Sequence, residues 1–154
     1  MEFQLKKLSA EAIPPALERA ERYRLLNEPV QAESICLDIL AIEPDNQQAL
    51  VLLLLALSEQ FGENITDKLD RAWSLLPKLH DEYQQAYYQG ILLERQARLY
   101  MRSDAPGSNF SAYDLFSEAM RLFEKAERLR HDAHAALQIG AFGRDGLAEN
   151  LHLA

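Results

Sequence analysis

The chain has 154 residues, of which 48% are apolar and 26% charged, and its net charge is −8. This length suffices for one domain with a real hydrophobic core. The acidic balance argues against nucleic acid as the main partner, because phosphate backbones are bound through clustered Lys and Arg. Ala, Leu, Glu and Arg are abundant and Val is scarce, so we expect an all-α protein.

The chain carries no sign of export or of a membrane anchor. Residues 1–12 lack the apolar stretch of a signal peptide. The longest apolar run, residues 49–57, is shorter than the ~20 residues that cross a bilayer. Cys36 is the only cysteine, which is typical of a reducing compartment, and its apolar neighbours predict a core residue rather than a nucleophile. We therefore expect a cytoplasmic protein without membrane contact.

After a lead-in over residues 1–12, the first two helices are predicted to form a hairpin. Pro14 and Pro15 fit the first turn of a helix that runs to about Leu26. Pro29 opens the second helix, and Pro44 ends it. The second helix carries a one-sided apolar stripe at helical spacing: Ala32, Ile35, Cys36, Ile39 and Leu40.

The third helix is predicted over residues 47–61, with Asp45 and Gln48 forming a capping box at its start. Its segment ALVLLLLAL is apolar on every face. Such a helix is either covered all round or leaves one face for a partner. A fourth helix follows over about residues 67–76.

The fifth helix is predicted over residues 81–101. Gly90 lies inside it at a cost of ~1 kcal/mol relative to Ala, which indicates a close helix crossing. A loop containing Pro and Gly separates it from a sixth helix over residues 111–130, capped by Ser111. Beyond it, the pattern weakens: residues 132–140 predict a short helix, and residues 140–154 a frayed end.

The first hairpin, residues 13–46, resembles a tetratricopeptide repeat (TPR), a 34-residue pair of helices. With Pro44 at position 32, five other marked positions hold suitable residues: Ala20 at 8, Tyr23 at 11, Ala32 at 20, Cys36 at 24 and Ile39 at 27. Ala16 at position 4 and Arg19 at position 7 depart from the large apolar residues that are usual there. Residues 47–80 and 81–131 match more loosely. In the third hairpin, Gly90 fits position 8, and Ala119, Phe123 and Ala126 fit positions 20, 24 and 27.

This resemblance implies an all-α, right-handed α–α superhelix of three TPR-like hairpins over residues 13–131. A C-terminal tail over residues 132–154 would then form a capping helix or be partly disordered. The alternative is an unrelated helical bundle with chance spacing.

In TPR proteins the first helix of each hairpin lines a concave groove that binds partners. The resemblance therefore implies a non-catalytic scaffold or adaptor that binds a partner peptide or helix. The groove positions carried over to this chain are Leu17, Glu21, Arg24, Gln48, Val51, Leu55, Gln84, Tyr87, Ile91, Glu94 and Arg95.

Two other uses of an apolar groove remain open. The chain is alternatively a self-associating structural module, including a homodimer, or a small secretion-type chaperone whose groove is filled by itself or by a subunit. The carboxylate grip of TPR co-chaperones is argued against, because its positions here hold none of the Lys, Asn and Arg residues that form it: they are Leu17, Glu21, Leu52, Gln84 and Tyr88.

The sequence shows little sign of a catalytic site. His131 and His134 are three residues apart, but no third metal ligand is evident. The glycines near the C-terminus follow no phosphate-binding pattern. We therefore expect no catalytic residue, no metal and no cofactor.

Overall fold

The computed structural model describes residues 8–62 and 65–150, with side chains up to Leu137 in the last helix, and all regular structure in that part of the chain is helical. The all-α expectation is thereby confirmed. The six α-helices are α1 (Ile13–Leu25), α2 (Pro29–Ile42), α3 (Gln47–Ser58), α4 (Ile65–Leu75), α5 (Glu82–Met101) and α6 (Ser108–Asn150). Short 3-10 helices span Ala10–Ala12 and Leu76–Lys78.

Local sequence signals explain most of the helix starts. Prolines occupy the first turns of α1 and α2, where an amide hydrogen has no helical partner. The N-cap of α3 is Asn46 rather than Asp45, and its side-chain oxygen accepts a 2.9 Å hydrogen bond from the amide of Ala49. Asp81 caps α5 by accepting from the amide of Tyr83 at 2.7 Å.

Helix α6 differs from its prediction at both ends. It begins at Ser108 instead of Ser111. The residue directly before it, Gly107, has a φ of +82°, a left-handed conformation that glycine adopts readily at the end of a loop. Helix α6 then continues without a break to Asn150, where a separate short helix and a frayed end were expected. Residues 131–137 contain no Gly or Pro, so nothing in them stops the helix. Residues 151–154 lie outside the described chain.

Consecutive helices pack as neighbours within the pairs α1–α2, α3–α4 and α5–α6, and α2 also packs on α3. Helix α3 contacts both α1 and α5, so it lies at the centre of the molecule. Its Leu50, Leu54 and Leu57 are at most 1% exposed. The sequence left open whether α3 is covered all round or leaves one face for a partner; in the structure most of its surface is covered, while Val51 and Leu55 stay half-buried.

A buried carboxylate joins α2 to α4. Glu33 accepts hydrogen bonds from Gln60 at 2.8 Å and Lys68 at 2.9 Å, and its other oxygen pairs with Arg71 at 2.7 Å. Burial alone would raise the pKa of Glu33, but these three partners favour the charged form, and the pKa lies below its ordinary value. Within the described residues no helix has the length and hydropathy needed to cross a bilayer.

Candidate partner-binding cleft

A cleft of about 500 Å³ lies between α1, α3 and α5, the first helices of the three hairpins. Its lining residues are Glu21, Arg24, Gln47, Gln48, Val51, Leu52, Leu55, Gln84 and Tyr88. The cleft thus brings together part of the set expected from the sequence: Glu21, Arg24, Gln48, Val51, Leu55 and Gln84.

The floor of the cleft is aliphatic and belongs to α3. Val51 and Leu55 are four residues apart, so they lie on the same face of the helix, and Leu52 packs beside them. Leu52 is buried, whereas Val51 and Leu55 keep part of their surface open to the cleft. This floor can take a large apolar side chain, because burying one there removes aliphatic surface on both partners from water.

One glutamine of the cleft wall has a structural role. The amide nitrogen of Gln47 donates to the carbonyl of Lys78 at 3.1 Å, and its amide oxygen accepts from the backbone amide of His80 at 2.9 Å. These bonds hold the start of α3 against the segment that leads into α5. The side-chain amide of Gln47 is therefore used to hold the fold together.

The other two glutamines are free to bind. The side chains of Gln48 and Gln84 make no hydrogen bond to protein groups in the part of the chain that the structure describes. An amide offers both a donor and an acceptor, which is what a peptide group needs. The two side chains come from different helices, so they can contact a bound segment from two sides.

An arginine pair closes one end of the cleft. Arg24 on α1 binds Glu59 at 2.7 Å, and Arg95 on α5 lies 3.6 Å from the same carboxylate oxygen. Arg95 also donates to the carbonyl of Leu55 at 3.2 Å and to the hydroxyl of Ser58. Burial lowers the pKa of Arg95, and the charge of Glu59 opposes that effect. This cluster ties all three cleft helices together.

Tyr88 adds a phenol to the wall contributed by α5. Burial raises its pKa, and the neighbouring phenols of Tyr87 and Tyr83 act in the same direction while Arg24 opposes them. Tyr88 therefore remains a neutral hydroxyl at physiological pH, able to donate or accept a hydrogen bond.

The remaining predicted groove residues lie outside the cleft lining. Leu17 is 8% exposed and belongs to the hydrophobic core. Tyr87 packs against the rings of Tyr83 and Phe123, with centroids 5.9 and 5.7 Å away. Ile91 is half-buried on the same helix. Glu94 pairs with Arg98 at 2.5 Å, and Arg95 reaches the cleft only through its bonds to α3.

Three lining residues were absent from the predicted groove set. Leu52 lies four residues after Gln48, and Tyr88 four residues after Gln84, so helical spacing from those two positions points to them. Gln47 has no such signal, since its role depends on residues more than thirty positions away.

The histidines singled out in the sequence do not form a site with neighbouring ligands. His131 and His134 are both exposed on α6. Among the residues that the structure describes, no three or more His, Cys, Asp or Glu side chains are grouped as metal ligands.

No protein-family model, curated protein or solved structure matches this chain. The functional proposal therefore rests on the cleft and on the helices that form it.

Proposed function

We propose that the protein is a non-catalytic binding module that holds a peptide segment of a partner protein in the cleft between α1, α3 and α5. The observation that carries this proposal is the composition of the cleft. The cleft combines an aliphatic floor from α3 with the side-chain amides of Gln48 and Gln84, which bond to no other group of the described residues. Apolar pockets combined with hydrogen-bonding groups are how peptide-recognition surfaces obtain affinity and orientation.

The size of the cleft limits the occupant. Its volume of about 500 Å³ is in the range of pockets that enclose small ligands, ~300–1,000 Å³. It therefore accommodates one or two large side chains with their backbone, in agreement with a short segment rather than a broad domain surface. We expect micromolar rather than nanomolar affinity, because short segments bury little area and lose entropy on ordering.

We further propose that the three hairpins form a TPR-type right-handed superhelix. Supporting this architecture, α3 contacts both α1 and α5, and small residues are buried at the helix contacts: Ala20, Ala32, Gly90, Ala119 and Ala126. The 43 residues of α6 exceed what a standard repeat supplies.

Co-purification from the native host tests the binding proposal. Leu55→Glu places a charge on the cleft floor, and Leu37→Glu is its matched control, because Leu37 is exposed on α2 outside the cleft. We expect the partner to be lost with Leu55→Glu and retained with Leu37→Glu, as quantified by mass spectrometry. Gln48→Ala, which removes the amide at an exposed position without adding a charge, provides a second cleft variant in case Leu55→Glu does not fold. Equal recovery with folded cleft variants would contradict the proposal.

Self-association is a second candidate, favoured by one surface of α6. Phe110, Tyr113 and Met120 are 81%, 71% and 63% exposed and lie along one side of that helix. Large apolar side chains in one row are unusual on a monomer surface. Light scattering of the wild type and of Tyr113→Lys tests this candidate: a dimer that dissociates in the variant supports it, and a wild-type monomer excludes it.

A further inference from the structure

The charges that line the cleft are not equivalent. Arg24 lies 2.7 Å from Glu59, shares that carboxylate with Arg95, and is only partly exposed. Glu21, one turn earlier on α1, is exposed and forms no ion pair within the described residues. Of the two charged residues on the lining, Glu21 is therefore the exposed one without an ion pair in the described chain, and it is negative. A carboxylate at the border of an aliphatic floor favours a cation on whatever occupies that floor.

Further carboxylates lie near the N-termini of α3 and α5, outside the cleft lining. Asp45 lies directly before the cap of α3, and its carboxylate is 3.4 Å from the amide nitrogen of Gln47. Asp81 and Glu82 precede Gln84 by less than one helical turn. His80 lies 3.0 Å from Asp45 but is charged only when protonated.

The charge of the whole chain acts in the same direction. A net charge of −8 repels acidic segments and increases the encounter rate with basic ones, especially at low ionic strength. Arg24 and Arg95 share the carboxylate of Glu59, and Arg95 also donates to the carbonyl of Leu55, so both guanidinium groups are held in the wall while Glu21 stays exposed.

Building on the proposed function, we propose that the cleft selects a basic-apolar peptide segment, in which a large aliphatic or aromatic side chain rests on Val51 and Leu55 and a neighbouring Lys or Arg pairs with Glu21. The peptide groups between these two side chains would bond to the amides of Gln48 and Gln84. Leu or Phe next to Lys or Arg is the simplest sequence that meets both requirements.

A displayed library of random peptides is the probe for this proposal. Wild-type protein should enrich peptides in which Lys or Arg lies within two residues of a large apolar residue. Glu21→Lys should weaken those peptides by ~5–10-fold and enrich Asp or Glu in their place, since the pair becomes repulsive. Asp38→Lys, which makes the same reversal on exposed α2, should leave the selection unchanged.

The outcomes separate this inference from the proposed function. Peptides that bind through the cleft, judged by their loss in Leu55→Glu or Gln48→Ala, but show no basic preference would overturn the inference alone. Failure of the library to yield any peptide sensitive to these cleft variants would overturn both. If Asp38→Lys abolished the preference for basic peptides as strongly as Glu21→Lys, the preference would come from the net charge of the protein. That result would also overturn the inference.

Discussion

The ring of Phe123 on α6 fills the space that a side chain at position 90 of α5 would need. A Cβ added to Gly90 would lie 2.7 Å from Cε1 of Phe123, closer than carbon atoms approach in folded proteins. The prediction of a close helix crossing at Gly90 is confirmed. The contact also holds the aromatic group beside it, because Phe123 packs on Tyr87 and Tyr87 on Tyr88, which lines the cleft.

Gly90→Ala should destabilise the protein. Ala ordinarily gains ~1 kcal/mol over Gly inside a helix, but overpacking a filled site costs about 1–3 kcal/mol. We expect a net loss of about 1 kcal/mol in the free energy of unfolding, measured by urea titration. In a variant that also carries Phe123→Leu, Gly90→Ala should instead increase the free energy of unfolding. Gly62→Ala is the control, since nothing lies within 4 Å of an added Cβ there. A stabilised Gly90→Ala would show that the ring moves aside freely.

Glu33→Gln should reveal how much the buried carboxylate contributes. The substitution keeps the shape of the side chain but removes the charge that Lys68 and Arg71 face. Breaking a buried ion pair costs about 3–5 kcal/mol, and we expect about 2 kcal/mol here because both cations are partly exposed. Asp38→Asn on the exposed side of α2 should change stability by less than ~0.5 kcal/mol. Equal effects of the two substitutions would contradict this role.

The contribution of Glu33 should also depend on pH. Its pKa is lower in the folded chain than the reference value of 4.5, so the unfolded chain binds the proton first as the pH falls. The stabilisation is complete above about that reference value and is lost as the pH falls through the folded pKa. The stability difference between wild type and Glu33→Gln should therefore shrink below pH ~4.5. A difference that stays constant would mean that the pKa of Glu33 is unchanged on folding.

Cys36 should be inert towards thiol reagents in the folded protein. It is fully buried, and burial raises the pKa of its thiol to about 12, with the charge of Glu33 adding to the effect. Only the thiolate reacts, so iodoacetamide at mildly alkaline pH should label Cys36 no faster than the chain unfolds. Labelling followed by mass spectrometry, with urea-unfolded protein as the positive control, measures this. Rapid labelling without denaturant would contradict the expected burial.

The arginine cluster should contribute more to the free energy of unfolding than a surface ion pair does. Arg24→Gln removes the 2.7 Å bond to Glu59 and leaves Glu59 with Arg95 at 3.6 Å. We expect a loss of about 1–2 kcal/mol, above the ~0–1 kcal/mol of exposed pairs, since a partly buried carboxylate loses its best partner. Arg19→Gln, exposed on the same helix, is the control. If Arg24→Gln costs no more than Arg19→Gln, the cluster does not hold the cleft helices together.

Much of the fold could be predicted from local sequence. Pro29 and Pro44 mark real helix boundaries, because proline lacks the amide hydrogen that a helix interior requires and is tolerated only in the first turn or beyond the end. The apolar stripe of α2 correctly predicted the burial of Cys36 and Ile39, since helical spacing puts these residues on one face.

The details of the cleft could not be predicted in this way. Arg24 and Glu59 are 35 positions apart, so only the packed helices bring them together. Leu17 was assigned to the groove by analogy, but the neighbouring helices bury it in the core. The N-cap of α3 differed by one residue, because Asp45 and Asn46 are equally able to accept the bond and backbone geometry decides between them. The C-terminal extent of α6 was not predicted, because the apolar periodicity weakens after residue 131. A weak periodicity does not by itself end a helix.

Amide chemical-shift mapping with the tightest library peptide tests the binding cleft most directly. Titration into isotope-labelled protein should perturb residues on both sides of the aliphatic floor, with the largest shifts at Gln48, Val51, Leu55 and Gln84 and little change on the exposed face of α2. Perturbations centred on the Phe110–Met120 face of α6, with the four cleft amides unmoved, would contradict the account.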